Sequence, residues 1–205
     1  MDENNLPPGG IVVEDPVWEP WLPRELADML AAVDIPWGVA GGWALDLLGG
    51  QRSREHSDLE IAVPTSGFWT IRAALDNYTF EVIGAGRRWP LDSAAFDVMH
   101  QTWVREPTTG VYRLDVFREP HNGDTWICRR DASIRLRYRD IIRRTADGIL
   151  FVASEIVLLF KAKHAKTKDE ADLSRTLPIL NPKQRSWLKD ALEHAHPGHP
   201  WMDRL

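Results

Sequence analysis

The chain has 205 residues, of which 43% are hydrophobic and 27% charged, so wholesale disorder is excluded and a core needs neither disulfides nor a structural metal. Its 25 Lys and Arg against 30 Asp and Glu leave a net charge of −5, which argues against a broad electropositive footprint for duplex nucleic acid. The single Cys128 excludes a disulfide framework and a multi-cysteine zinc site, and no apolar run reaches the ~18 residues of a membrane span. The expectation is a soluble cytoplasmic protein with no membrane partner.

Residues 1–16 are acidic and rich in Pro and Gly, unlike a secretory signal, and read as a loose lead-in. Leu22, Leu26, Met29, Leu30 and Val33 recur at helical spacing, with Pro23 suited to the first turn. Ile35 to Ala40 reads as a short buried strand stopped by Gly41-Gly42, and Trp43 to Leu48 as a helix ended by Gly49-Gly50. A polar loop then leads into the strand Asp58 to Val63. Phe68, Ile71, Ala74 and Leu75 mark another amphipathic helix. Thr79 to Ile83 follows as a strand and Gly84 to Asp92 as a loop. Val98 to Val104 and Val111 to Phe117 read as two strands of a hairpin joined through Pro107 to Gly110.

Beyond about Asp131 the pattern turns helical. Ser154 is placed to cap a helix to about Lys166, continued by Asp169 to Leu173, and Asn181-Pro182 with Gln184 forms a capping box for a last helix. The predicted fold class is α+β, a mixed sheet with flanking helices and a helical C-terminal region. The expected division is a core at 17–130 and a helical region at 131–205. The ten tryptophans are expected mainly in the core, with one or two available to stack on a base or an acceptor ring.

The chemistry gathers on two strands. Alternation sends Leu59, Ile61 and Val63 to one face and projects Asp58 and Glu60 together from the other. In the strand 111–117 it sets Tyr112, Leu114 and Val116 on one side and Asp115 on the opposite one. A buried carboxylate is costly without a partner, so Asp115 needs Arg113, Arg118 or a cation. If the two strands are neighbours, three carboxylates converge and divalent cations neutralise them. Gly41-Gly42 before a helix is either a plain tight turn or a phosphate cradle, where bare backbone N–H groups and the helix N-terminus meet an anion.

Gly41-Gly-Trp-Ala-Leu-Asp46, Arg54-Glu-His-Ser-Asp-Leu-Glu60 and Arg113-Leu-Asp115 together resemble the antibiotic-modifying nucleotidyltransferases. These are the aminoglycoside 2″-adenylyltransferase and lincosamide nucleotidyltransferase relatives within the DNA polymerase β-like superfamily. The stretches Glu155 to Lys163 and Lys168 to Asp172 resemble that group's C-terminal helices. The resemblance implies Asp58, Glu60 and Asp115 as catalytic and metal-binding acids, with Gly41 and Gly42 at the phosphates. Two departures stand out. Trp43 replaces a serine found in many members, and Glu60 stands where relatives usually carry Asp.

The implied reaction is transfer of a nucleoside monophosphate, AMP from ATP, to a hydroxyl of a small acceptor such as an aminoglycoside-like antibiotic, with release of pyrophosphate. Two Mg²⁺ ions ~3.5–4 Å apart would serve the in-line displacement, and Asp115 is the first candidate for the acceptor's proton. Arg54, Lys161 and Lys168 can reach phosphates, the two lysines being seven apart and so expected on one helix face. Arg54 reads equally well as a surface residue and the lysines as a solvated stripe. His56 is expected to brace the carboxylate strand. Acids such as Glu106, Glu119 and Asp131 are expected on the acceptor side, favouring a cationic acceptor. Two alternatives remain. One is a minimal nucleotidyltransferase acting on a protein or RNA partner. The other, suggested by Glu60, is a nucleotide-binding protein with weakened turnover.

Overall fold

The computed structural model describes residues 6–205, so residues 1–5 of the expected lead-in lie outside the description. The helices are α1 (Pro23–Met29), α2 (Gly41–Gly49), α3 (Phe68–Ala74), α4 (Ala95–Val98), α5 (Tyr138–Ile141), α6 (Ser154–Ala162), α7 (Thr167–Thr176) and α8 (Pro182–Ala195). The strands are β1 (Ile11–Val12), β2 (Gly38–Val39), β3 (Glu60–Pro64), β4 (Thr79–Gly84), β5 (Arg87–Pro90), β6 (Gln101–Arg105), β7 (Tyr112–Glu119), β8 (His121–Asn122), β9 (Thr125–Ile127), β10 (Arg135–Arg137), β11 (Ile142–Arg144) and β12 (Leu150–Val152). Nine of them form one mixed sheet in the order β1-β5-β4-β6-β7-β3-β2-β12-β11, and β10-β9-β8 form a small second sheet. The architecture is α+β, as the residue pattern implies. None of the described helices is long and apolar enough to cross a membrane.

The sheet has two differently covered faces. Leu59, Ile61, Val63, Leu114 and Val116 are fully buried on one, where Arg118 of β7 lies over the rings of Phe68 and Phe96. The other face carries Glu60, Asp115, Phe117 and Glu119, and is roofed by α6 and the β9–β10 ribbon. Strand β3 runs parallel to β7 with Glu60 opposite Asp115, while β2 runs antiparallel to β3 on its other side.

Several expectations change. Residues 84–92 are not a loop, because Ala85 and Gly86 both take positive φ and form a two-residue hairpin turn that pairs β4 with β5. The lead-in is not loose at its end, since β1 adds to the edge of the sheet against β5. Residues 131–152 hold three short strands, and β12 pairs with β2 inside the main sheet, so that sheet extends past residue 130. Short strands of two or three residues leave too little alternation to be seen in sequence.

A register shift between Val104 and Arg105 also breaks the alternation in β7. It brings Tyr112 round to the face of Trp103, whose ring centroid lies 4.9 Å away, and the Tyr112 hydroxyl donates to Glu81 at 2.8 Å. Ser154 does not cap α6: Ala153 occupies that position and the Ser154 hydroxyl, although buried, has no partner. Helix α6 stops at Ala162 and α7 is separate, so Lys161 and Lys168 are not on one continuous helix. The Asn181–Gln184 box forms as expected, with both reciprocal bonds at 3.0 Å. Of the tryptophans, Trp37, Trp89, Trp126 and Trp201 are core residues, whereas Trp69 is exposed.

Candidate active site

The site is built where β2 passes into α2. The Ala40 N–H donates to the Glu60 carbonyl at 2.7 Å, which fixes the turn against the start of β3. Gly41 begins α2 at φ +59°, and a β-carbon there would fall 1.5 Å from Glu60 Oε2. Only glycine fits, for two reasons that agree: the left-handed backbone and the side chain lying over it. A β-carbon on Gly42 would meet Arg54 Nη2 at 2.4 Å and the His56 ring at 2.6 Å. Both glycines are therefore close-approach positions.

The acids follow from strand pairing. Asp115 is 3% exposed, in register with Glu60, and its N–H donates to the Leu59 carbonyl at 2.8 Å. Its Oδ2 accepts from Gln101, while Oδ1 is buried with no partner. Neither Arg113 nor Arg118 neutralises it. Arg113 pairs with Glu106 and Glu19, and Arg118 donates to the Phe96 and Met99 carbonyls. Burial, then the charges of Glu60 and Asp58, push the Asp115 carboxyl well above the usual range. Burial and then Asp58 likewise raise Glu60 to about 7, against the opposing pull of Lys161 and Lys168.

This is a donor set short of positive charge. An orphaned buried carboxylate oxygen beside a second raised carboxyl fits a divalent cation. Among the described residues, no group of three or more His, Cys, Asp or Glu side chains is placed to hold a metal ion together, so the expected convergence of three carboxylates is seen only as the Glu60–Asp115 pair. Asp58, half-buried, completes the acidic set electrostatically.

The basic candidates divide. Lys161 bonds Asp169 at 2.7 Å and Asp172 at 2.9 Å, and Arg54 pairs with Asp172 at 3.3 Å. Burial alone would lower the Lys161 ammonium, but these two carboxylates outweigh it and hold it above the ordinary lysine value. Arg54 and Lys161 are thus anchored to α7 through one buried aspartate, a tie that sequence reading missed because Asp172 sits more than a hundred residues from Arg54. Lys168 is exposed and makes no ion pair among the described residues.

His56 is a brace. Its Nε2–H donates to Asp46 at 2.7 Å, and Trp43 lies over its ring at 4.5 Å. Burial pushes the imidazole below its ordinary value despite Asp46, so it is neutral near pH 7. Trp43 thereby packs the histidine that supports the turn.

The acids expected on the acceptor side are not available there. Glu106 is bound by Arg113, and Asp131 is a half-buried loop residue accepting from the Ser133 N–H. Glu119 is buried, held by Trp126 Nε1 and by Arg129 at 3.0 Å. The cavity that opens beside Glu60 has a volume of about 260 Å³ and is mainly apolar and aromatic.

Residues 24–98 match the family described as aminoglycoside-2''-adenylyltransferase, a span holding Gly41, Gly42, Arg54, Asp58 and Glu60 but not Asp115. The crystal structure of ANT(2")-Ia in complex with adenylyl-2"-tobramycin is similar at a TM-score of 0.56 and 16% identity, covering 83% of this chain and 96% of that one. The lincosamide antibiotic adenylyltransferase LnuA, lincomycin-bound, is similar at 0.54 and 18% identity, covering 77% and 95%. Among curated protein sequences none matches significantly.

Proposed function

We propose that this chain, whose residues 24–98 match the aminoglycoside-2''-adenylyltransferase family, is a nucleotidyltransferase that transfers AMP from ATP to a hydroxyl of a small molecule and releases pyrophosphate. The observation that carries the reading is the pairing of Glu60 with Asp115 beside the Gly41-Gly42 turn, two raised carboxyls at the mouth of a helix N-terminus. Mg²⁺ would be held by Asp58, Glu60 and Asp115, and would offset their charge and stabilise oxyanions at the α-phosphorus.

The chain's own residues do the rest. The N–H groups of Gly41 and Gly42, bare of side chain, bind phosphate oxygens, and the start of α2 adds a partial positive charge. Arg54 and Lys168 supply further positive charge, and Asp172 fixes Arg54 in direction. His56, through Asp46, keeps the turn in place. Asp115, which a bound cation would keep ionised against its burial, is the residue placed to take the proton of the acceptor hydroxyl.

The test is pyrophosphate release by purified protein with ATP, GTP, CTP and UTP against hydroxylated acceptors, with and without EDTA. Turnover that needs both an acceptor and Mg²⁺ supports the reading. A second reading, nucleotide binding with weakened turnover, is favoured by Glu60 and by the lack of a group of three metal-holding side chains among the described residues. Mg²⁺-dependent ATP binding without any product would select it. The antibiotics in the two similar structures set the starting panel, and tobramycin is the more highly charged of them.

A further inference from the structure

Resting on the reading above, we propose that the acceptor is not a polycation but a hydroxylated molecule with a flat apolar body and an anionic or hydrogen-bond-accepting end, received by Arg130 and Tyr138. The cavity beside Glu60 runs along the open sheet face toward Glu119. Glu119 is opposite Pro64, four residues beyond Glu60, so the two acids are about 13 Å apart along the strands. Phe117 lies on the floor of that path and Phe160 of α6 on its roof.

The two ends differ in charge. At the Glu60 end stand the acids proposed to hold Mg²⁺ and take the hydroxyl proton. At the other end Glu119 is already satisfied by Arg129 and Trp126. Arg130 is not satisfied. Among the described residues no carboxylate is within ion-pair reach of it, and its buried Nε has no hydrogen-bond partner. Its guanidinium lies over the Phe160 ring at 5.2 Å. Tyr138, 4% exposed, also lines the cavity, and its hydroxyl has no partner. Two buried donors left empty at the end of an apolar chamber are costly unless a ligand supplies acceptors.

A polycationic aminosugar meets the opposite of what it needs in this chamber. It would place ammonium groups beside Arg130 and strip their water against Phe117 and Phe160, with no unpaired acid at the Glu119 end to receive them. A carboxylate or carbonyl on an aromatic or aliphatic body meets both orphaned donors, and its hydroxyl can then extend toward Asp115. The ring faces also offer stacking area to such a body.

Calorimetric titration of the full chain with 4-hydroxyphenylacetate, its methyl ester and tobramycin, at 0.05 and 0.5 M NaCl, tests this. The acid should bind, the ester should bind more weakly, and tobramycin should bind more weakly than either. Arg130→Gln should weaken the acid about tenfold, the loss expected for one charged hydrogen bond, while changing the ester little. Tyr138→Phe, which preserves the ring, should weaken both. Salt should weaken the acid more than the ester. Tobramycin binding tightest, an unchanged affinity for the acid in Arg130→Gln, or no binding of either aromatic probe would overturn the proposal. A parallel titration with Mg²⁺–ATP separates the two readings. Loss of ATP binding refutes the nucleotidyl-transfer reading and leaves the chamber result to be judged by itself.

Discussion

Glu60→Gln should stabilise the metal-free protein at pH 8 and leave it almost unchanged at pH 5. The Glu60 carboxyl is raised from 4.5 to about 7, so between those values the native state keeps a proton that the unfolded chain has released. Stability therefore falls as pH rises from 4.5 through 7 and is level above that, because the unfolded state binds fewer protons than the native one. At 1.36 kcal/mol per pH unit the ionised carboxylate costs about 3 kcal/mol, and partial exposure of the side chain reduces this to about 2 kcal/mol. Glutamine occupies the same volume and never ionises. It also removes the charge that helps to raise Asp115. For a chain of this length 2 kcal/mol is a rise of about 4–8 °C in Tm. Thermal melts of both proteins in EDTA from pH 5 to pH 8 read the difference directly. Parallel curves with no pH-dependent gap, or a variant less stable at pH 8 than at pH 5 relative to wild type, would refute the uncompensated-carboxylate argument.

Gly42→Val should raise the dissociation constant for Mg²⁺–ATP at least about tenfold and also lower Tm, since its side chain meets the braced His56 ring and the anchored Arg54 guanidinium; unchanged calorimetric affinity in the folded variant would make the glycines a plain turn. Glu60→Asp should retain turnover in a pyrophosphate-release assay, whereas Glu60→Gln should lose on the order of a hundredfold or more, the usual scale for a misplaced or removed catalytic contact. Asp172→Asn should cost about 3 kcal/mol in urea unfolding, because it strands Arg54 beside a buried neutral amide and leaves Lys161 with Asp169 alone, while Arg175→Ala, removing a half-exposed partner of the same acid, should cost under about 1 kcal/mol.

Much of the site was legible because it depends on local rules. Period-2 alternation is enough to set Glu60 opposite Ile61 and Asp115 opposite Leu114 and Val116, whereas Asp58 lies before β3, which begins at Glu60 and not at Asp58 as expected. Glycines before an apolar helical run announce a close backbone approach, and the Asn181–Gln184 pair announces a helix start. Each of these is a statement about residues within a few positions of one another. The short strands at 131–152 were not legible, since two or three residues carry no period, and neither was the positive-φ turn at Ala85, a residue that rarely adopts it.

The sequence by itself determined which chemistry the chain carries: acids in or beside strands, and glycines at a helix start. The tertiary structure alone decided how that chemistry is directed. Parallel pairing of β3 with β7 sets Glu60 against Asp115, and Asp172 claims Arg54 and Lys161, which a linear reading assigns to phosphate. Arg129 neutralises Glu119, and Arg130 and Tyr138 are left unpaired in an apolar chamber. The physical reason is that a charge acts through what surrounds it within a few ångströms, and for buried groups those neighbours come from strands and helices distant in the chain.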